Sequence, residues 1–165
     1  MNQRLSIALA ALALALFAWG PARAQAGGDL ELRNIAEVEQ EVKAADGKVV
    51  KKRVIAQKAI PGTEVIYTST FRNVGRKPAG NIAIVNPVPA NTTLVAGSAS
   101  GDNTEISFSA DGGKSWASAD KVRVTGADGK PRPAGISEFT HIRWAWRGEL
   151  PAGKQGAVAF RVTVN

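Results

Sequence analysis

Three stretches of this chain alternate apolar and polar residues with a period of two, and that pattern leaves little choice of fold. In EVIYTSTFRN, Val65, Tyr67, Ser69 and Phe71 fall on one side, and Ile66, Thr68 and Thr70 on the other. In FTHIRWAWRG, Ile142, Trp144 and Trp146 oppose His141, Arg143 and Arg147. In GAVAFRVTVN, Val158, Phe160, Val162 and Val164 oppose Arg161 and Thr163. Successive side chains of a strand point to opposite faces, so each stretch presents one face to a core. β-Branched and aromatic residues also suit a pleated surface.

Turn residues punctuate these runs. Pro61-Gly62 precedes the first, and Asn73-Val74-Gly75 and Lys77-Pro78 follow it. NIAIVN, residues 81 to 86, reads as a short strand stopped by Pro87 and Pro89, which lack the ladder N–H. Proline also fixes its own φ and biases the residue before it toward extended geometry. Asn-Pro-Val-Pro-Ala-Asn therefore reads as a structural crossing between strands, with TTLVA, residues 92 to 96, resuming beyond it. TEISFS and the region of KVRVTG read as further strands, and LPAG, residues 150 to 153, as a turn. Many short strands with turn signals every ten or so residues predict an all-β antiparallel sandwich of about seven to nine strands.

Upstream, AEVEQEVKAADGKVVKKRVIA predicts a hairpin with a three-residue loop, Ala45-Asp46-Gly47, ending in a Gly at positive φ. That register sets Val38 opposite Val54 and Val42 opposite Val50. It also sets Glu39 opposite Arg53 and Glu41 opposite Lys51, so one face is largely apolar and the other pairs opposite charges. Glu, Ala and Gln are good helix formers, which keeps a helix open for residues 31–44.

The N-terminus has the layout of a secretory signal peptide: Arg4, an apolar run from Leu5 to Trp19, and the small-x-small site Ala22-Arg23-Ala24. The run is 15 residues long, and a membrane-spanning helix needs about 20. The expected organisation is a leader over 1–24, a flexible lead-in over 25–29, and one sandwich domain over 30–165 with no transmembrane span after cleavage. The leader holds two of the 21 Lys and Arg and none of the 14 Asp and Glu, so the remainder carries 19 minus 14, or +5. That modest, mixed charge suits solubility and does not demand a polyanionic partner. There is no Cys, which removes thiol catalysis, thiolate metal sites and disulfides. About 140 residues bury a sufficient core without such staples.

YTSTFRNVG followed by NIAIVNPVPANTTLVAGSA resembles the conserved repeat domain of bacterial exported proteins, domain of unknown function eleven. The tail THIRWAWRGELPAGKQGAVAFRVTV resembles the same family's closing pattern of a Trp strand, a Leu-Pro-x-Gly turn and a last alternating strand. The resemblance covers about residues 60–165. The chain departs from it at Asn86, where many members carry Asp, and at Asn91, often Gly. The resemblance implies an immunoglobulin-like sandwich in a periplasmic, secreted or surface setting, without enzymatic activity and without an agreed ligand.

The residues that bear on chemistry are few. SADGGKSW, residues 109 to 116, fits a Ser-x-Asp-x-Gly-x-Ser-Trp box, read here as a structural turn held by Asp111 and Trp116. His141 is the only histidine, and no Gly-x-Ser-x-Gly elbow accompanies it. Glu37, Glu39 and Glu41 share a strand face, which suits a cation or acid–base work, but Lys51, Lys52 and Arg53 lie opposite and suggest charge pairing. KVVKKR lacks the stacking aromatics of single-strand nucleic-acid binders and reads as a Lys-protected sheet edge. Trp144 and Trp146, with His141 and Arg143 nearby, are the candidate ligand-binding group: paired rings suit a sugar, although sharing a face with Ile142 also suits core packing. The expectation is a non-catalytic interaction or structural module of the cell envelope, with an envelope protein or a glycan as partner and no nucleic acid, metal or cofactor. A carbohydrate- or cell-wall-binding module using exposed Trp residues is the alternative.

Overall fold

The computed structural model describes residues 23–27, 29–44 and 46–165. The leader expected over 1–24 lies, apart from Arg23 and Ala24, outside the described residues. In chain order the strands are β1 (Arg23–Gly27), β2 (Leu30–Lys43), β3 (Val49–Ile55), β4 (Glu64–Asn73), β5 (Gly80–Pro87), β6 (Thr92–Leu94), β7 (Ser100–Gly101), β8 (Thr104–Ser109), β9 (Arg123–Thr125), β10 (Pro131–Pro133), β11 (His141–Trp146) and β12 (Gln155–Val164). One 3₁₀ turn, Ile136–Glu138, precedes β11. The count exceeds the expected seven to nine because β1, β7 and β10 are short pieces that no alternation marks.

Every pairing is antiparallel. One sheet runs β1-β5-β11-β8, the other β3-β2-β4-β12-β6 with β7 also on β12, and β9 and β10 form a separate ribbon. The two large sheets close a β-sandwich. Ile82, Ile84, Ile142 and Trp144 come from one; Val65, Phe71, Val158, Phe160 and Val162 come from the other, and all nine are buried in one core. Trp144 and Phe160 meet across it with ring centroids 6.0 Å apart. At Gly156 a Cβ would lie 2.5 Å from the Phe71 ring and 2.9 Å from Trp146, so only glycine lets these rings close on the backbone.

The helix alternative for residues 31–44 gives way to a 14-residue strand. Its hairpin with β3 has the expected register: Val38 opposite Val54, Glu39 opposite Arg53, Glu41 opposite Lys51 and Val42 opposite Val50. Ala44 N–H donates to the Lys48 carbonyl, which closes the hairpin, with Gly47 at φ 84°. Residues 25–29, expected as a lead-in, differ: Gln25–Gly27 belong to β1, which covers the open edge of β5. An edge offers backbone groups alone, so an extended segment pairs there without the side-chain alternation that sequence reading detects.

The proline segment crosses between the sheets, from β5 in one to β6 in the other. Pro87 still pairs with His141 at the end of β5, and the Pro89 carbonyl accepts from Thr92 Oγ1 at 2.7 Å, which starts β6. Asn91 sits at φ 57°, where glycine is most at ease and Asn is tolerated. Asn73, fully buried, joins two turns: its Nδ2 donates to the carbonyls of Lys77 and Leu150, and its Oδ1 accepts from Gly75 N–H. Asn86 spans the core, donating to Ser69 Oγ at 2.9 Å.

Candidate functional site

β11 lies between β5 and β8, so its two faces have opposite fates. Ile142 and Trp144 are fully buried. Trp144 is therefore not available as a sugar platform, which corrects that candidate assignment; burying so large an apolar ring outweighs any exposed role. Trp146 is half-buried, edge-on to Phe71 with centroids 5.4 Å apart.

His141 and Arg143 point outward, and the 109–116 turn folds back over them. Ala117 exchanges both backbone hydrogen bonds with Phe108, which lays Trp116 alongside the outer face of β8 and β11. The Arg143 guanidinium sits 4.9 Å from the Trp116 ring centroid, a cation–π contact, and its Nε donates to Ser107 Oγ at 3.1 Å. The His141 ring meets Trp116 edge-on at 6.5 Å. Sequence alternation put His141 and Arg143 on one face; nothing in it announced Trp116 as their partner, since that depends on cross-strand register.

Asp111 fastens the turn. Its Oδ1 accepts from Ser109 Oγ, Lys114 N–H and Ser115 N–H, and its Oδ2 accepts from Ser115 Oγ at 2.6 Å. These donors, the Ser115 hydroxyl first, hold its carboxyl well below the usual carboxylate range. Burial pushes the His141 imidazole pKa down, and the Asp111 charge opposes that in part. The His141 Nδ1 lies 3.1 Å from Thr140 Oγ1, but that hydroxyl donates to the Ser109 carbonyl.

On the acidic face of β2, Glu39 is paired with cations. Glu39 accepts from Arg161 at 3.0 Å and lies 3.6 Å from Arg53, while Arg161 also reaches Glu64 at 2.6 Å. The Arg161 hydrogen bond lowers the Glu39 pKa. These side chains arch over Ile66, which the ladder places between Arg161 and Glu37 and which is buried although it faces outward. Among the described residues no cluster of three His, Asp or Glu has the arrangement of a metal site.

β3 is the edge of the six-stranded sheet, where the KVVKKR segment was expected. The β2–β4 pairing stops at Val38 and Val65, whereas β2–β3 continues to Lys43 and Val49. Residues beyond Val38 thus form a two-stranded ribbon projecting from the sandwich. It exposes apolar side chains: Val49 at 65%, Val50 at 44% and, at its base, Ile55 at 59%. No protein-family model matches the chain, and no curated protein or solved structure was found to match it.

Proposed function

We propose that this chain is a non-catalytic interaction module of the bacterial cell envelope, exported behind its N-terminal leader, whose binding element is the β2–β3 ribbon. The observation that carries the reading is the ribbon's exposure. Lys51, Lys52 and Arg53 guard the middle of an uncovered edge strand, and Val49, Val50 and Ile55 around them leave apolar surface that marks a site for another chain. The exported setting rests on the leader-like residues 1–24 and on the resemblance of residues 60–165 to the conserved repeat domain of exported proteins. The glycan alternative drew on Trp144 and Trp146; with Trp144 enclosed by the core, a protein partner is preferred.

Two experiments test this. Protein recovered from the periplasm or medium is expected to begin at Gln25 by N-terminal sequencing, and an intact Met1 there defeats export. A photo-crosslinking residue at Lys52 is expected to give a heavier adduct in the producing cells, whereas the same residue at Arg76, away from the ribbon, gives none. Adducts at neither position, under conditions that label a control pair, overturn the interaction reading.

A further inference from the structure

We infer that the free edge of β3 takes an acidic, extended segment of a partner protein as an added strand. The inference rests on the ribbon being the interaction element.

The backbone geometry defines what that edge offers. In an antiparallel pair, opposite residues alternate between exchanging two hydrogen bonds and exchanging none. Ala44 N–H donates to Lys48 O, and Ala56 N–H to Ala36 O, so the even-numbered residues of β3 bond to β2. The odd-numbered ones, Val49, Lys51, Arg53 and Ile55, therefore aim their N–H and C=O groups away from β2, at the uncovered side. An added strand would bond to these four residues in turn.

The side chains define the sequence it would prefer. Lys51, Lys52 and Arg53 occupy the middle of β3, with Val49, Val50, Val54 and Ile55 flanking them. Directly opposed residues on a sheet interact, favourably for opposite charges and unfavourably for like ones. The complement is a strand with acidic residues at its centre and apolar residues at both ends. β2 already has this character on the other side: Glu39 and Glu41 face Arg53 and Lys51, while Val38 and Val42 face Val54 and Val50. A second copy pairing β3 to β3 is disfavoured. Centred on Lys52, it would put Lys52 against Lys52 and Lys51 against Arg53. The cations that block self-association are the ones that select an acidic partner.

The test uses the whole chain and a synthetic peptide of residues 35–43, IAEVEQEVK, against a version with its three Glu replaced by Lys. Saturable binding of the first is expected, weaker for the second by about tenfold or more, with slowed hydrogen exchange at the amides of Val49, Lys51, Arg53 and Ile55. Lys51→Pro removes an outward N–H together with one of the selecting cations and leaves the β2 ladder bonded, so it is expected to keep the native spectrum and lose binding. If it misfolds, Lys51→Glu/Arg53→Glu serves instead, with the peptide preference reversed. Equal binding of both peptides, undiminished binding to Lys51→Pro, or protection elsewhere overturns the inference. Concentration-dependent self-association abolished by Lys51→Pro also overturns it, since a second copy would then be the occupant. Adducts at Lys52 in cells without peptide binding would leave the interaction module standing and remove only the acidic-strand partner.

Discussion

Three turns of this chain contain Ala-Asp-Gly, at 45–47, 110–112 and 127–129, and the surroundings of the first two differ sharply. Both glycines take positive φ, 84° at Gly47 and 76° at Gly112. Asp46 accepts one backbone hydrogen bond, from Lys48 N–H, and stands in water. Asp111 gathers two hydroxyls and two backbone N–H groups, and Ala117 beyond it bridges back to Phe108 of β8. The tripeptide sets the reversal. The residues after it set the destination: Gly113-Lys114-Ser115-Trp116 returns the chain directly to the body, and Lys48-Val49-Val50 leads back along a ribbon that stands off it. A turn signature thus reports where a chain bends and not whether the bend is anchored.

Substitutions can break this contrast, beginning where the effect is greatest. Trp144→Ala, in the core beneath the anchored side, is expected to cost about 3–5 kcal/mol in urea unfolding. Val50→Ala on the ribbon is expected to cost no more than ~0.5 kcal/mol. Similar losses would mean the ribbon is as integral as the core. Next, Asp111→Ala is expected to lower the melting temperature by several degrees and Asp46→Ala to leave it nearly unchanged; equal shifts would erase the distinction between the turns.

Acid supplies a finer probe. Glu138, chelated by Arg132 at 2.7 Å on both oxygens, is held at about 2, below its ordinary 4.5. A depressed carboxylate stabilises fully above its unfolded pKa and loses that contribution as pH falls through the folded value. The urea midpoint should therefore drop between pH 4.5 and 2, less steeply in Glu138→Gln. Asp111 is displaced in the same direction, so Asp111→Asn should flatten the curve too. The smallest expected change is Arg161→Met: it keeps the aliphatic cover of Ile66, loses the links to Glu39 and Glu64, and should lower the midpoint slightly in low salt and less in high salt.

Much of the fold was legible because alternation and turn chemistry are local. Glu64–Asn73 and Thr104–Ser109 follow from them with their ends, and the hairpin register followed from matching charges across a loop of the right length. What escaped was set by neighbours distant in sequence. β1 has no pattern of its own and is a strand because β5 has an open edge. Ile66 reads as outward-facing, and it is, yet Arg161, 95 positions later, crosses the sheet to Glu39 and Glu64 around it. The Trp116–Arg143 contact needs two registers at once, β8 with β11 and β8 with Ala117. For the candidate site, alternation separated His141 and Arg143 from Trp144, and only packing decided that Trp144 is enclosed.

The position of β12 has a temporal meaning. The last strand of the chain sits inside the larger sheet, with β4 on one side and β6 and β7 on the other. Until residues 155–164 have emerged, those strands have no common neighbour and half the core has no wall. The β3-β2-β4 part can therefore pair early, while β6 and β7 and the core side chains of β12 are added last, so the larger sheet closes only once residues 155–164 are free to enter it.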